Sequence, residues 1–279
     1  MDIYALFGQT ATGKTARALE LAKRYNGELV NFDSRQIYKK LDIVTGKDRP
    51  EDVAIKIWLY DIVDPKESFS SAQFSMIAKN IILDILKRGK TPILVGGTGY
   101  YLSHLLYGIP KTNVKENWDL RDKLKDKSVT ELQAILKEKN NNMLEEMNNS
   151  DKNNPRRLIR RIEICEEGKI MEKQTQKIQF KETVHFLPFF HASPEIVKEK
   201  ITKRVEARIK DGAIEEVKKL LEEGYTEQDP GLNAIGYTQL ISYIKGKSAL
   251  DEMKKEWITK EVQYAKRQKT YFAKYFAQK

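Results

Sequence analysis

The 279-residue chain has a single cysteine, Cys165, and three histidines, His104, His185 and His191. One thiol closes no internal disulfide, and no Cys/His pair has the spacing of a zinc site. Cys165 lies beside Ile162 and Ile164 and reads as a packing residue. No uninterrupted apolar run approaches the roughly 20 residues that span a bilayer, so no membrane partner is expected. No leader pattern opens the sequence, which starts with a strand and a glycine-bracketed loop; a cytoplasmic location is expected. What the chain does have is charge. Charged residues make up 32%, the formal net charge is +10, and 40% of residues are hydrophobic, enough for a core. An excess of Lys and Arg points to a polyanion, most often nucleic acid. Composition alone leaves a solubilising Lys/Glu surface equally open.

The length suits one large domain or a domain with an inserted module. Residues 2–7 read as a buried strand, and Thr15–Tyr25 as a helix with Ala18, Leu21 and Ala22 on one face. Leu29–Phe32 reads as a second strand, and Trp58–Val63 as an extended stretch closed by Asp64-Pro65. Ser70 or Ser71 can cap a helix striped by Phe74, Ile77, Ile81 and Ile85 and stopped at Gly89. Pro92–Val95 makes another strand. After Pro110 the chain turns polar and helical in period, and Lys139–Asn154 reads as a loop or a frayed helix end. Val184–Phe190 is strand-like again, and helices follow to Lys279. The expected fold is α/β: a phosphate-loop core with a parallel sheet flanked by helices, plus an all-helical insert. Residues 1–110 and 184–279 would form the core, and 111–183 the insert.

Gly8-Gln9-Thr10-Ala11-Thr12-Gly13-Lys14-Thr15 matches G-x-x-x-x-G-K-[ST] in full, between a strand and a helix. Glycines let backbone N–H groups turn inward, the helix N-terminus adds partial positive charge, and Lys14 reaches phosphates. The Thr15 hydroxyl can meet Mg²⁺. The pattern does not say which diphosphate is held. An NTPase usually carries a carboxylate at the end of a later strand, whereas Ile93-Leu94-Val95 runs into Gly-Gly-Thr98.

Asp33-Ser34-Arg35-Gln36-Ile37-Tyr38 follows the second strand and so falls at the carboxyl edge of the sheet, where open α/β folds bind ligands. Asp33 could ligate metal or take a proton from a nucleophile, and Ser34 and Gln36 could read a purine edge. An ordinary capped turn explains the same residues equally well.

These segments, with Thr45-Gly46-Lys47, Gly96-Gly97-Thr98-Gly99-Tyr100-Tyr101-Leu102, Asn154-Pro155-Arg156-Arg157-Leu158-Ile159-Arg160-Arg161-Ile162-Glu163, Ile235-Gly236-Tyr237 and Tyr264-Ala265-Lys266-Arg267-Gln268, resemble in order the tRNA dimethylallyltransferase family. The resemblance covers nearly the whole chain. It implies that the phosphate loop holds dimethylallyl diphosphate and that N6 of the adenosine 3′ to the anticodon attacks the allylic carbon. It further implies roles for Lys14, Thr15 with Mg²⁺, Thr98 and Arg204 on the leaving diphosphate, and for Asp33 as the base. The implied tRNA contacts are Asp33, Ser34, Arg35, Gln36, Thr98, Arg121, Arg156, Arg157, Leu158, Ile159, Arg160, Gly236, Tyr237, Lys266, Arg267 and Gln268. The partners implied are the anticodon stem-loop of tRNA and the prenyl diphosphate, acting on a monomer.

The chain departs from the family pattern where Val262 and Ala273 stand in places that usually carry arginine, and its insert is short and Asn-rich. Three other readings compete. A small-molecule kinase would need ATP, a prenyltransferase acting on free adenine nucleotide would leave the arginines of 156–161 idle, and an RNA-binding protein would not need Lys14, Thr15 and Asp33 together.

Overall fold

A computed structural model describes residues 2–49, 55–108, 114, 116–168, 178–191 and 193–276. Five parallel strands form one sheet in the order β3-β2-β4-β1-β5, with β1 Asp2–Gly8, β2 Gly27–Asn31, β3 Ile57–Trp58, β4 Thr91–Gly96 and β5 Thr183–Phe189. The period of two is visible in burial. Ile3, Ala5 and Phe7 pack with α2 (Ser71–Lys87) and α3 (Gly99–Tyr107) on one face, while Leu6 packs with α1 (Lys14–Arg24) on the other. Helices on both faces cover the apolar strands of a parallel sheet, as expected from the sequence.

Register matters most for function. Phe7 pairs with Gly96 and Asn31 with Val95, so β1, β2 and β4 all end at one edge. The loops after those strands are therefore neighbours in space.

Two local expectations change. The stretch Trp58–Val63 is extended only at Ile57–Trp58, because Leu59 (φ 69°) and Asp61 (φ 57°) break the pleat. The break delivers the Asp61 carboxylate to Lys47 Nζ at 2.6 Å, and a bridge between Tyr38 and Val63 resumes the parallel course. On α2 the capping box at Ser70 forms, but its buried stripe is Phe74, Ala78, Ile82 and Ile85, with Ile77 and Ile81 only half-covered.

The chain separates into two compact units, Met1–Gly108 with Lys177–Lys279, and Ile109–Gln176. In the first, α8 (Pro194–Lys210), α9 (Ala213–Glu222), α10 (Tyr237–Ile244) and α11 (Leu250–Phe276) build a second core around Tyr237 and Trp257. Ile178 and Phe180 already pack with the sheet-side core of this unit. The second unit holds α4 (Trp118–Leu124), α5 (Val129–Glu145), α6 (Asn149–Lys152) and α7 (Pro155–Glu166) around Leu132, Leu136, Leu158 and Ile162. Its asparagines are caps: the side chains of Asn117, Asn148 and Asn154 each accept a backbone N–H at a helix start. Asn140 interrupts α5 and recaps it through Met143 N at 3.0 Å, so the tract read as loop or frayed end is largely helical. The expected change of character at Pro110 and the chain end at Lys279 lie outside the described residues. No helix among the described residues is long and apolar enough to cross a membrane.

Candidate active site

The phosphate loop follows β1 and opens α1. Ala11 (φ 61°) and Gly13 (φ 78°) take left-handed conformations, which turn successive N–H groups of the loop to one side. Lys14 folds back over the loop, donating to the Gln9 carbonyl and to Thr12 Oγ1 at 3.3 Å. Burial brings the Lys14 ammonium down to about 8; Asp33 opposes the shift and Arg204 adds to it. Both charges therefore act on Lys14. Residues Thr10–Thr15 line a cavity of about 680 Å³ that Asp33, Gly97 and Arg204 also line.

β2 and β4 end side by side, and Gly96 and Gly97 leave room there for the Phe32–Asp33 backbone and the Asp33 carboxylate. A Cβ at Gly96 would stand 2.8 Å from the Phe32 carbonyl carbon, and one at Gly97 would stand 3.4 Å from Asp33 Oδ2. One Asp33 oxygen caps the turn, with Oδ1 accepting from Arg35 N at 2.9 Å. Oδ2 makes no hydrogen bond among the described residues and is left for chemistry. The turn reading holds for Oδ1, and Oδ2 is the oxygen that a functional role would use. Thr98 Oγ1 accepts from Ser34 N at 3.0 Å and donates to Ser34 Oγ at 3.2 Å, which fixes the β4 loop to the Asp33 segment. Gln36 donates to the carbonyls of Thr45 and Gly46, and Arg35 to that of Pro230. The Gln36 amide nitrogen is therefore committed to the protein and not available to a purine edge.

Arg204 comes from α8. Its Nη1 donates to Thr10 Oγ1 at 2.6 Å, and its Nη2 pairs with Glu261 of α11. A second cavity of about 790 Å³ is lined by Thr10, Asp33, Arg204 and Arg208 as well, so these four side chains stand at a wall common to both spaces.

Several residues expected to contact ligand instead hold the site up. Gly8 pairs with Phe189 of β5, and the buried Gln9 side chain is tied to His191 N and the Ala265 carbonyl. Gln268, expected on tRNA, is 4% exposed; its Oε1 accepts from Thr10 N at 2.8 Å and its Nε2 donates to the Gly97 carbonyl at 2.9 Å. It braces the phosphate loop against the β4 loop. Tyr237 is fully buried and donates to Glu216 Oε1 at 2.6 Å. Gly236 is a packing residue, since a Cβ there would lie 2.5 Å from Val44 Cγ1. Neither presents a side chain to RNA.

In the helical unit Leu158 and Ile159 are core, at 0% and 9% exposure. They sit on the inward face of α7, which the basic run around them masks in the sequence. Arg121 and Arg160 both pair with the buried Glu163, and Arg157 pairs with Asp151. Arg156 is exposed and makes no ion pair among the described residues. Lys266 and Arg267 on α11 are exposed, and Arg267 lies over the Tyr264 ring at 5.8 Å while lining the second cavity.

The oxygen donors in the first cavity suit a hard cation. Thr15 and Asp33 both line it, and no cluster of three or more His, Cys, Asp or Glu exists among the described residues to hold a metal alone. Mg²⁺ bound through a ligand's phosphates, water and one or two protein oxygens fits this donor set.

Sequence reading missed Arg208 and Glu261, and named Lys47 in a family-like segment without giving it a role. Lys47 has a side chain with no exposure, donating to Asp42, Asp61 and the Tyr38 carbonyl beneath the cavity. The available signal for the first two was spacing: Arg204 and Arg208 are one turn apart on α8, as are Trp257 and Glu261 on α11.

Comparison with known proteins identifies the family. A family model described as IPP transferase matches residues 36–275. The tRNA dimethylallyltransferase of Acetivibrio thermocellus is 36% identical over 282 residues, covering 98% of this chain and 89% of that protein. That of Anoxybacillus flavithermus is 39% identical over 274 residues, covering 97% and 86%. Among solved structures, the tRNA isopentenylpyrophosphate transferase of Bacillus halodurans superposes with a TM-score of 0.69 at 31% identity, over 97% of this chain and 86% of that one. A eukaryotic dimethylallyltransferase acting on tRNA gives 0.78 at 27% identity, over 97% and 69%. With a match over most of its length and relatives at this level of identity across nearly all of it, the chain belongs to the IPP transferase family.

Proposed function

We propose that the protein transfers a dimethylallyl group from dimethylallyl diphosphate to N6 of the adenosine 3′-adjacent to the anticodon of tRNA, releasing diphosphate. The observation that carries this reading is the meeting of Lys14, Thr15, Asp33 and Arg204 on one cavity, beside a phosphate loop and without a second strand-end acid at Gly96-Gly97. The allylic C–O bond breaks and its electrons leave on the diphosphate, where Lys14, the loop N–H groups and Arg204 meet the growing charge. The N6–C bond forms, and the N6 proton passes to Asp33 Oδ2, the oxygen that the turn does not use. Mg²⁺ at Thr15 would add further charge neutralisation to the leaving diphosphate.

The RNA side of the reading rests on exposed cations. Lys266 and Arg267 on α11, and Arg156 in the helical unit, are free to meet backbone phosphate. Ser34 and Thr98 hydroxyls stand beside Asp33, where the adenine would arrive. All the reacting groups come from one chain, so a monomer suffices.

The test is a prenyl-transfer assay with Mg²⁺, labelled dimethylallyl diphosphate, and unmodified tRNA or AMP in parallel. Label in tRNA alone supports the reading. Label in AMP keeps the chemistry and overturns the RNA substrate. ATP turnover without label transfer returns the site to the kinases. Within the assay, Asp33→Ala is expected to lower turnover by roughly 10²- to 10⁴-fold in a folded protein, the range of a lost general base.

A further inference from the structure

We propose that Glu261 is a positioning residue for prenyl transfer: from α11 it holds the Arg204–Arg208 pair of α8 in the arrangement that receives the leaving diphosphate. The inference rests on the reaction proposed above and assigns a role to a residue outside the phosphate loop and its motif.

The geometry is a closed set of contacts between two packed helices. Glu261 Oε2 pairs with Arg204 Nη2, while Oε1 accepts from Arg208 Nη1 at 3.1 Å and from Trp257 Nε1 at 3.0 Å. The acid is 7% exposed and Trp257 not at all, so the carboxylate has one orientation available to it. Arg204 is thereby gripped from one side by Glu261 and touches Thr10 of the phosphate loop with the other.

Electrostatics explains why such a grip is needed. Two guanidinium groups one turn apart repel, and Arg208 is also buried; burial first, then Arg204, bring it down to about 10. Burial alone would raise the Glu261 carboxyl, but Arg204 and Arg208 outweigh it and hold it below its ordinary value. The ionised acid leaves the trio with one net positive charge beside the cavity. A long arginine side chain that must otherwise be ordered by the ligand is ordered in advance. Val262, where the family pattern carries arginine, adjoins Glu261 on one side, and Lys260, which lines the second cavity, adjoins it on the other.

A purely structural ion cluster would hold the helices together without affecting the reaction selectively, and kinetics separates the two roles. Glu261→Gln keeps size and the hydrogen bond from Trp257 but removes the charge. It is expected to lower kcat/KM for dimethylallyl diphosphate by roughly 10- to 100-fold, with tRNA affinity by filter binding unchanged within about twofold. In an Arg204→Ala background, the same change is expected to alter turnover by less than about twofold, because Arg204 is the member of the pair that reaches the phosphate loop. Normal donor kinetics in Glu261→Gln would overturn the proposal, as would an equal loss of tRNA affinity or a full additional loss in the Arg204→Ala background.

If Glu261→Gln fails to fold by thermal melting, Trp257→Phe decides the matter. It removes the N–H that orients the carboxylate together with part of a buried ring, so it is assayed below its own melting transition, where it is expected to lower donor kcat/KM by roughly three- to tenfold; wild-type kinetics would overturn the proposal. Wild-type enzyme runs alongside throughout. A wild type that transfers no label overturns the reaction itself, whereas an active wild type with unchanged variants overturns only the role of Glu261.

Discussion

Among the described residues, two buried glutamates each hold two arginines, and one of them, Glu261, lines a cavity. Glu163, 1% exposed, takes Arg121 and Arg160 in the helical unit, with Asn117 N as a third donor. Glu261 takes Arg204 and Arg208 in the core unit, with the Trp257 indole as a third. In both, arginines overcome burial and keep the carboxyl ionised. An Arg–Glu–Arg group is therefore no mark of a site by itself. At Glu163 the pair fastens α4 to α7 and the Val114 carbonyl; at Glu261 it faces the phosphate loop through Thr10. What differs is the neighbour, and the neighbour decides whether a held cation does chemistry or holds helices together.

The sharpest break in the comparison should come from the arginines themselves. Arg204→Ala is expected to lower turnover by roughly 10²- to 10³-fold, the effect of losing one preorganised donor to a developing charge. Arg121→Ala should leave donor kinetics alone, and similar kinetic losses in the two variants would erase the distinction. Next in size is Glu163→Ala, which strands two arginines and should cost about 3 kcal/mol of stability in urea melts. Its kcat/KM for the prenyl donor should stay near wild type; a fall matching that of Glu261→Gln would show that both groups serve the reaction.

A smaller effect concerns Lys14, whose ammonium is brought down to about 8. Between that value and roughly 10.4 the unfolded chain holds a proton that the folded one has lost, so stability rises with pH across this window. Below it the buried charge weighs against the fold. Lys14→Met should stabilise the ligand-free protein at pH 7 by about 2 kcal/mol, a gain that fades towards pH 10, while abolishing activity. Pyrophosphate affinity of the wild type should weaken as pH climbs through 8, and calorimetry showing a flat profile from pH 7 to 9 would contradict this. The smallest contrast is within α11. Gln268→Ala should cost about 1 kcal/mol by loosening the phosphate loop and leave tRNA affinity untouched. Lys266→Ala should instead lower the salt slope of tRNA binding by about 1. The opposite pattern would restore Gln268 as an RNA contact.

Much of the core was legible in the residues. The strand over residues 2–7, the stripe of α1 and the strand near Val184 all follow from local pattern. The Asn-rich tract was misread because asparagine serves loops and helix caps alike, and only the placement of Met143 and Met147 in the core tells them apart. Tyr237, Leu158, Ile159 and Gln268 were assigned to RNA because they lie in runs of basic or family-matching residues, and a run does not say which member turns inward.

The sequence by itself determined that a phosphate loop joins a strand to a helix, that an acid follows the next strand, and that the chain is basic. Each of these depends on neighbours within a few residues, where backbone conformation and spacing are dictated locally. Only the tertiary structure decided that Asp33 leaves one oxygen free beside Gly97, that Gln268 braces Thr10 from 258 positions away, and that Arg204 meets both the loop and Glu261. Those contacts join strand ends and helices far apart in the chain. Charge and helical period name the candidates for such partnerships, but the packing of α8 and α11 around the sheet edge selects among them.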